Sequence, residues 1–292
     1  MTEVWALAAF WFGLALIAGV LAKWLRISSA MAEVVMGTIA QLILGATIGL
    51  GVLGSDESWV KFLSGVGVML LTFLAGAELE PDVLKLKWKE AVSLGSVSFL
   101  VPFFLSAAVA HYLLGWGVMP SWLAGVALGG TSVAVVYTEM MQHGLNGTDF
   151  GKVLLGACFV TDLGNVIALG LIFTPFTIRT ALFIAFTLSG AVALLWLTPR
   201  FFSRFGGLPS ELETKFLLLF LLALGSLATW ADSEAVLPAY AVGMALAGTV
   251  GRNHSLIRRL RTVTFGLLTP FFFIRAGYLV SLTSVISVPV AF

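Results

Sequence analysis

The sequence predicts an all-α membrane protein: a polytopic helical bundle with inverted repeats and one discontinuous helix. Hydrophobic residues make up 59% of the 292 positions and charged residues only 11%, whereas soluble domains carry about 25% charged residues. Apolar runs of roughly 20 residues, separated by short polar clusters, recur along the whole chain. The net charge of +1 gives no indication of a nucleic-acid partner, and a single cysteine, Cys158, excludes an internal disulfide framework.

Ten apolar runs are long enough to cross a lipid bilayer. The first apolar run, Val4 to Ala22, is followed, rather than preceded, by Lys23 and Arg26, which is typical of a retained first span and not of a cleaved signal. An eleventh run begins near Leu282 and stops at Phe292. The ten predicted spans are Val4–Leu25, Met31–Leu53, Val60–Ala77, Ala91–Leu114, Trp122–Met141, Val153–Phe173, Arg179–Leu197, Lys215–Ala231, Ala235–Val250 and Thr262–Val280.

The basic residues support this division and orient it. With the N-terminus outside, Lys61 and Arg179 fall on the external side and Arg275 falls inside a span. The other basic residues lie in cytoplasmic loops, as expected for a multi-pass protein of the cell membrane. They are Lys23, Arg26, Lys85, Lys87, Lys89, Lys152, Arg200, Arg204, Lys215, Arg252, Arg258, Arg259 and Arg261.

Parts of the sequence echo one another. Thr72–Leu79 in span 3 resembles Phe272–Leu279 in span 10, and Ser29–Gly37, before and within span 2, more weakly resembles Ser233–Gly243 in span 9. Both echoes are offset by seven spans, and an odd offset gives the two copies opposite directions, as in many secondary transporters. If spans 1–6 form one repeat, spans 8–13 form the other. We therefore expect the second repeat to be truncated in this sequence, with the C-terminal part of the domain missing.

Asp162 is the most informative polar residue because it lies in the middle of span 6. A carboxylate at bilayer depth costs at least roughly 2.5–3.5 kcal/mol, so such residues usually face a cavity and serve a function, although a structural ion pair or a packing hydrogen bond is the alternative. Removing a carboxylate from water favours its protonated form, and the same oxygens can bind a small cation. A proton and a cation would then compete for one site. Asn165, at i+3, and the adjacent Thr161 could add neutral oxygens.

Span 5 contains a second unusual element. Gly129 and Gly130 are followed by Thr131 and Ser132 and then by a β-branched run, which is a poor helix interior. Transporter sites are often built where a helix unwinds at mid-membrane and exposes its backbone carbonyls. Thr131 and Ser132 could then face Asp162. The alternative is close helix packing, because Gly125 and Gly129 form a pair of small residues four apart.

Three motifs carry a resemblance to a known family. They are Ala32–Gly37 opening span 2, Leu71–Leu79 closing span 3, and Gly130–Val136 followed by Phe150–Gly156 and Thr161–Asp162. On these motifs, residues 1–292 resemble the sodium/hydrogen exchanger transmembrane domain of the monovalent cation:proton antiporter-2 family.

The resemblance implies an elevator-type antiporter, usually a homodimer, that exchanges a monovalent cation, Na⁺ or K⁺, for protons. No cofactor is implied, because the ions are the substrates, and a cytosolic regulatory domain could lie outside this chain. The ion-binding aspartate of the family corresponds to Asp162, and its crossover-helix hydroxyls correspond to Thr131 and Ser132. Family members commonly have Asp, Asn or Gln where this chain has Thr161, and this neutral residue predicts electroneutral exchange.

The alternative functions each require a feature that is not evident in these spans. A sodium-coupled organic anion symporter would need a second polar pocket, a gated cation channel would need a continuous polar pore, and an enzyme would need a nucleophile–base pair or a metal cluster.

Arg275 lies within span 10, and we favour a structural or interface role for it over pairing with Asp162. For Glu33 and Glu78 we favour local structural roles over a funnel for cations.

Overall fold

The structure is a computed structural model that describes residues 2–47, 53–79, 86–172, 177–207 and 209–280. These residues contain helices and connecting turns but no β-strand. The helices are α1 (Thr2–Leu25), α2 (Ser29–Thr47), α3 (Ser58–Ala77), α4 (Trp88–Ala108), α5 (Val118–Gly129), α6 (Val133–Gln142), α7 (Asp149–Ile172), α8 (Ile178–Phe205), α9 (Leu212–Trp230), α10 (Val236–Leu246), α11 (His254–Val263) and α12 (Thr269–Tyr278). Single π-helical turns follow α4, α10 and α11, at Val109–Leu113, Ala247–Gly251 and Thr264–Leu268.

The helices fall where the sequence predicts spans. Seven helical segments of the described chain are long and apolar enough to cross a membrane, and they match predicted spans 1 and 3 to 8. Two shorter apolar segments, Ser29–Leu44 and Val236–Gly251, match spans 2 and 9, and the tenth span covers the end of α11, the π-turn and α12. The chain is therefore an all-α, multi-pass membrane protein. The predicted eleventh span lies outside the described residues.

Contacts divide the chain into two compact units. The first, which we name the terminal unit, comprises residues 1–71 and 259–292, and the second, the central unit, comprises residues 72–258. In the terminal unit, Trp11 of α1 is fully buried and donates its indole N–H to the carbonyl of Leu53 at 2.9 Å. Its ring also stacks on Phe271 of α12, with the ring centroids 5.4 Å apart. A buried indole needs such a partner for its N–H, so this contact holds the α2–α3 connection against α1.

In the terminal unit, α2 and α12 approach closely through glycines. A Cβ added at Gly37 would collide with the carbonyl oxygen of Ile274 and would lie 3.0 Å from the amide nitrogen of Tyr278. In return, a Cβ added at Gly277 would collide with the carbonyl oxygen of Val34. Small residues allow backbones to approach to this distance, and close packing of this kind is a main source of helix association in membranes.

The central unit contains a second glycine-mediated pair, formed by the C-terminal part of α3 and by α10. A Cβ added at Gly243 would collide with the carbonyl oxygen of Phe73 and would lie 2.9 Å from the amide nitrogen of Ala77. A Cβ added at Gly76 would collide with the carbonyl oxygen of Tyr240. Neither glycine could gain a side chain without separating the two helices.

The two glycine pairs share their spacing. In each pair, one glycine (Gly37 or Gly243) lies against two residues of the partner helix that are four positions apart. The glycine on the partner helix (Gly277 or Gly76) lies against the residue three positions before that first glycine, Val34 or Tyr240. The segments involved are those in which the sequence echoes were found. The shared spacing fits two copies of one helix pair, and the inverted repeat itself stays a prediction.

Helix α4 packs against α5 and α7 in the central unit. Phe103 stacks on Phe99 and on Trp122, with centroid distances of 5.3 and 5.6 Å. A Cβ added at Gly95 would lie 2.6 Å from the carbonyl oxygen of Ala157, so α4 and α7 are in close contact. This contact fixes the rotation of α7 about its axis and therefore decides which of its residues face away from α4.

Candidate functional site

A break in the predicted fifth span forms one side of the candidate site. Helix α5 ends at Gly129 and α6 begins at Val133, and Gly130 and Ser132 between them have extended backbone conformations. The Ser132 hydroxyl accepts the amide N–H of Val135 at 3.4 Å and so caps α6. The predicted discontinuous helix is confirmed. The break leaves the last carbonyls of α5 and the first amides of α6 without intrahelical partners, so it presents opposite partial charges side by side.

Asp162 lies near the middle of α7, about 20 Å from its first residue, Asp149, and about 15 Å from its last, Ile172. The side chain is half-buried. On a helical wheel, its face of α7 also carries Leu155, Cys158 and Asn165. The residues that meet α4, such as Ala157, lie on the opposite side of the helix. Asp162 therefore points away from α4.

Asn165 joins the carboxylate-bearing helix to the break. A Cβ added at Gly130 would lie 3.0 Å from Asn165 Nδ2 and 3.3 Å from its Cγ, so the carboxamide rests against the broken segment. Asn165 Oδ1 is fully buried and has no hydrogen-bond partner among the described residues. Since Asp162 lies one turn before Asn165 on the same face, the structure brings this face of α7 to the break.

The three predicted hydroxyl residues differ in their surroundings. Thr161 is buried and donates its hydroxyl to the carbonyl of Cys158 at 2.7 Å, and it is turned by about 100° around α7 from Asp162. Thr131 is half-buried within the break, and Ser132 is exposed. The break therefore places Thr131 and Ser132 in the segment that Asn165 touches. A role for Thr161, Thr131 or Ser132 as an ion ligand stays a prediction.

Asp162 and Arg275, the two charged residues placed in the interior of predicted spans, have different surroundings. Within the described part of the chain, no basic side chain forms an ion pair with Asp162. In the terminal unit, Arg275 donates from Nε to the carbonyl of Ser55 at 2.9 Å, in the α2–α3 connection. This contact supports the structural role that we favoured for Arg275.

Sequence reasoning missed two tyrosines, Tyr137 and Tyr240, which lie in predicted spans and are fully buried. The hydroxyl of Tyr240 donates to the carbonyl of Leu155 at 2.9 Å, on the site face of α7. The hydroxyl of Tyr137 donates to the carboxylate of Glu78, which supports the structural role favoured for Glu78. A buried tyrosine hydroxyl usually finds a hydrogen-bond partner, and a tyrosine inside an apolar run was the signal available in the sequence.

Comparison with known proteins agrees with this architecture. The family model described as "Sodium/hydrogen exchanger, transmembrane" matches residues 12–292. A probable Na⁺/H⁺ antiporter 3 of Methanocaldococcus jannaschii is 25% identical over 257 residues, which cover 82% of this chain and 63% of the relative. The Na⁺/H⁺ antiporter NhaS5 of Synechocystis is 27% identical over 255 residues, covering 83% of this chain and 35% of the relative.

A further relative is named for potassium as well as sodium. The Na⁺/H⁺-K⁺ antiporter GerN of Bacillus cereus is 24% identical over 257 residues, covering 82% of this chain and 64% of the relative. The chain thus spans less than two thirds of the length of each of these three relatives. Because the family model covers nearly all of its residues, this chain belongs to the sodium/hydrogen exchanger transmembrane family, a family of transporters and not of enzymes.

Proposed function

We propose that the protein exchanges Na⁺ or K⁺ for H⁺ across the membrane, and that the two ions compete for the carboxylate of Asp162. The observation that carries the proposal is the meeting of α7 with the break between α5 and α6. There, a half-buried carboxylate lies one turn from the buried Oδ1 of Asn165, and neither group has an ion-pair or hydrogen-bond partner, respectively, in the part of the chain that the structure describes.

The carboxylate and Asn165 suit a small cation. Carboxylate and amide oxygens are hard ligands, and carbonyl oxygens at the C-terminal end of α5 carry partial negative charge. Exposed carbonyls at an unwound helix are a common way to replace part of the hydration shell of an ion in a transporter. The names of the relatives include both Na⁺ and K⁺, so we propose a monovalent cation of either kind as the substrate.

Coupling follows from the cost of an empty site. An ionised carboxylate at bilayer depth costs roughly 2.5–3.5 kcal/mol, which suppresses reorientation of the empty, charged site by a factor of about 70 to 400. A bound proton or a bound monovalent cation neutralises the carboxylate and removes this cost. Reorientation therefore carries either H⁺ or the cation far more often than the bare carboxylate, which couples the two fluxes as an exchange.

We further propose that exchange is electroneutral. Thr161 cannot ionise in the physiological range, so, among the described residues, Asp162 is the titratable carboxylate where α7 meets the break. One cation then exchanges for one proton, and each complete cycle moves no net charge. The turnover rate should accordingly be the same at different imposed membrane voltages.

The test is a pH-gradient collapse assay in proteoliposomes, using the full-length protein. Na⁺, K⁺ and Li⁺ are added in turn, and proton flux is followed with a pH-sensitive dye. Asp162→Asn should abolish cation-driven flux. The matched control is Asp149→Asn, which removes an exposed carboxylate from the first turn of the same helix, where it pairs with Lys87 at 3.7 Å.

The outcomes separate the site from the reaction class. Flux in wild type and in Asp149→Asn, but not in folded Asp162→Asn, is the expected result. Unchanged flux in Asp162→Asn would refute the assignment of the carboxylate. The membrane voltage is set by the diffusion potential of an ion that the protein does not transport. A proton flux that changes reproducibly with this voltage would refute electroneutral exchange.

A further inference from the structure

The α3–α10 pair is a fixed body next to the candidate site. Because Gly76 and Gly243 bring the two backbones into direct contact, neither helix can shift without losing many dispersion contacts at once. Gly251, just beyond α10, continues the contact, since a Cβ there would collide with the carbonyl oxygen of Ala77. This pair therefore offers a rigid surface on which other helices of the central unit can be positioned.

One tyrosine connects this pair to α7. Tyr240 belongs to α10, and its own backbone carbonyl lies against Gly76 of α3. Its ring stacks on Phe159, with centroids 5.2 Å apart and planes 15° apart, and its hydroxyl donates to the carbonyl of Leu155 at 2.9 Å. The hydrogen bond reaches the face of α7 that carries Asp162, two turns before the carboxylate.

A second tyrosine connects the pair to α6. Tyr137 lies in the second turn of α6, shortly after the break, and donates its hydroxyl to Glu78, just beyond the end of α3. The other oxygen of Glu78 accepts Asn146 Nδ2 at 3.1 Å, in the connection between α6 and α7. Glu78 therefore holds both α6 and the turn that follows it.

We propose that these two tyrosine hydrogen bonds are tethers that set the position of the carboxylate relative to the break in the state that the structure shows, and that they break when the site reorients. Tyr240 holds α7, which carries Asp162, and Tyr137 holds α6, which begins at the break, and both are fixed to the α3–α10 pair. Tyr137 and Tyr240 are thus positioning residues for the ion site. The proposal rests on the proposed function, because it concerns the geometry of the same site.

The experiment removes each hydroxyl and keeps each ring. Tyr240→Phe, Tyr137→Phe and the double variant are compared with wild type and with Tyr112→Phe, which alters an exposed tyrosine outside the site. The first readout is the cation concentration that gives half-maximal proton flux, measured separately from the maximal rate. A hydrogen bond worth about 1 kcal/mol corresponds to a change of about fivefold, so each single variant should raise this concentration two- to fivefold.

The second readout does not depend on transport. Cys158 is the single cysteine of the sequence, is buried, and lies on α7 between Leu155 and Asp162. Its rate of labelling by a maleimide therefore reports how firmly α7 is held. Tyr240→Phe should speed labelling several-fold, while Tyr137→Phe, which acts on α6, and Tyr112→Phe should leave it near the wild-type rate.

The outcomes distinguish the tethers from the proposed function. If wild type shows no cation-driven flux, the proposed function fails, and the labelling rates still decide whether Tyr240 holds α7. Unchanged Cys158 labelling in Tyr240→Phe overturns the tether. If Tyr240→Phe speeds the labelling of Cys158 but leaves the half-maximal cation concentration unchanged, the positioning role is overturned. A merely structural role would lower only the maximal rate of proton flux or the amount of folded protein.

Discussion

Asn165→Leu should make the protein more stable and a poorer exchanger. Leucine closely matches asparagine in shape but has no polar atoms, so the substitution removes an Oδ1 that is fully buried without a partner among the described residues. A buried, unsatisfied polar group costs about 1–3 kcal/mol. If that cost is retained because Asn165 binds the transported cation, stability and function must move in opposite directions.

The expected magnitudes follow from the structure. Relief of about 1–3 kcal/mol should raise the melting temperature by roughly 2–4 °C for each kcal/mol. Thermal melts in cation-free detergent solution, followed by the fluorescence of the nine tryptophans, measure this change. Loss of one oxygen ligand should raise the half-maximal cation concentration by tenfold or more, as measured by proton flux in proteoliposomes.

The matched control is Thr187→Val in α8. Thr187 Oγ1 is also buried without a partner among the described residues, and it faces α9 rather than the break. This nearly isosteric change should raise the melting temperature by a similar mechanism and leave the cation dependence unchanged. A lower melting temperature for Asn165→Leu, with wild-type cation dependence, would show that Asn165 is a structural residue and would refute the reasoning.

Three further perturbations test other contacts. Gly130→Ala should raise the half-maximal cation concentration several-fold, because the new Cβ would displace the carboxamide 3.0 Å away, whereas Gly13→Ala, in open space on α1, should have no effect. Arg275→Gln should lower the melting temperature, since a loop carbonyl loses its donor at a cost of about 1–2 kcal/mol, and should leave the cation dependence intact. The pKa of Asp56 is held below its ordinary value by a hydrogen bond from Lys61 and by the charge of Lys61. Asp56→Asn should therefore lower the melting temperature at neutral pH. This difference from wild type should vanish as the pH falls below about 4, in thermal melts recorded at a series of pH values.

The break and its contact with α7 could be predicted because they rest on local chemistry. Paired glycines before two hydroxyl residues disfavour a continuous helix wherever they occur, and the i+3 spacing places Asn165 on the face of Asp162 in any α-helix. The surroundings of Thr161 could not be predicted in this way. It is the immediate neighbour of Asp162, it is turned by about 100° around α7, and its hydroxyl donates to the carbonyl of Cys158. Its role as an ion ligand stays a prediction.

Contacts between distant segments were beyond the reach of the sequence. The Tyr240–Leu155 bond joins residues 85 positions apart and the Tyr137–Glu78 bond joins residues 59 positions apart, so neither follows from spacing within one helix. The π-turn at Thr264–Leu268 was also missed, because span 10 was predicted as one continuous segment. Pro270 follows this turn and lacks the N–H that would bond to the carbonyl of Gly266, which loosens the regular ladder at that point.

Helix α8 is longer than a bilayer requires. Its 28 residues extend about 42 Å, against about 30 Å for the hydrocarbon layer and about 28 Å for its 19-residue neighbour α9. Near its C-terminal end, the guanidinium of Arg200 stacks 3.7 Å above the ring of Trp196, a combination that prefers the headgroup level. The apolar part of α8, predicted as Arg179–Leu197, is about 28 Å long and fits the hydrocarbon layer. The last two turns of α8 therefore project beyond that layer and expose Arg200 and Arg204 to the lipid headgroups.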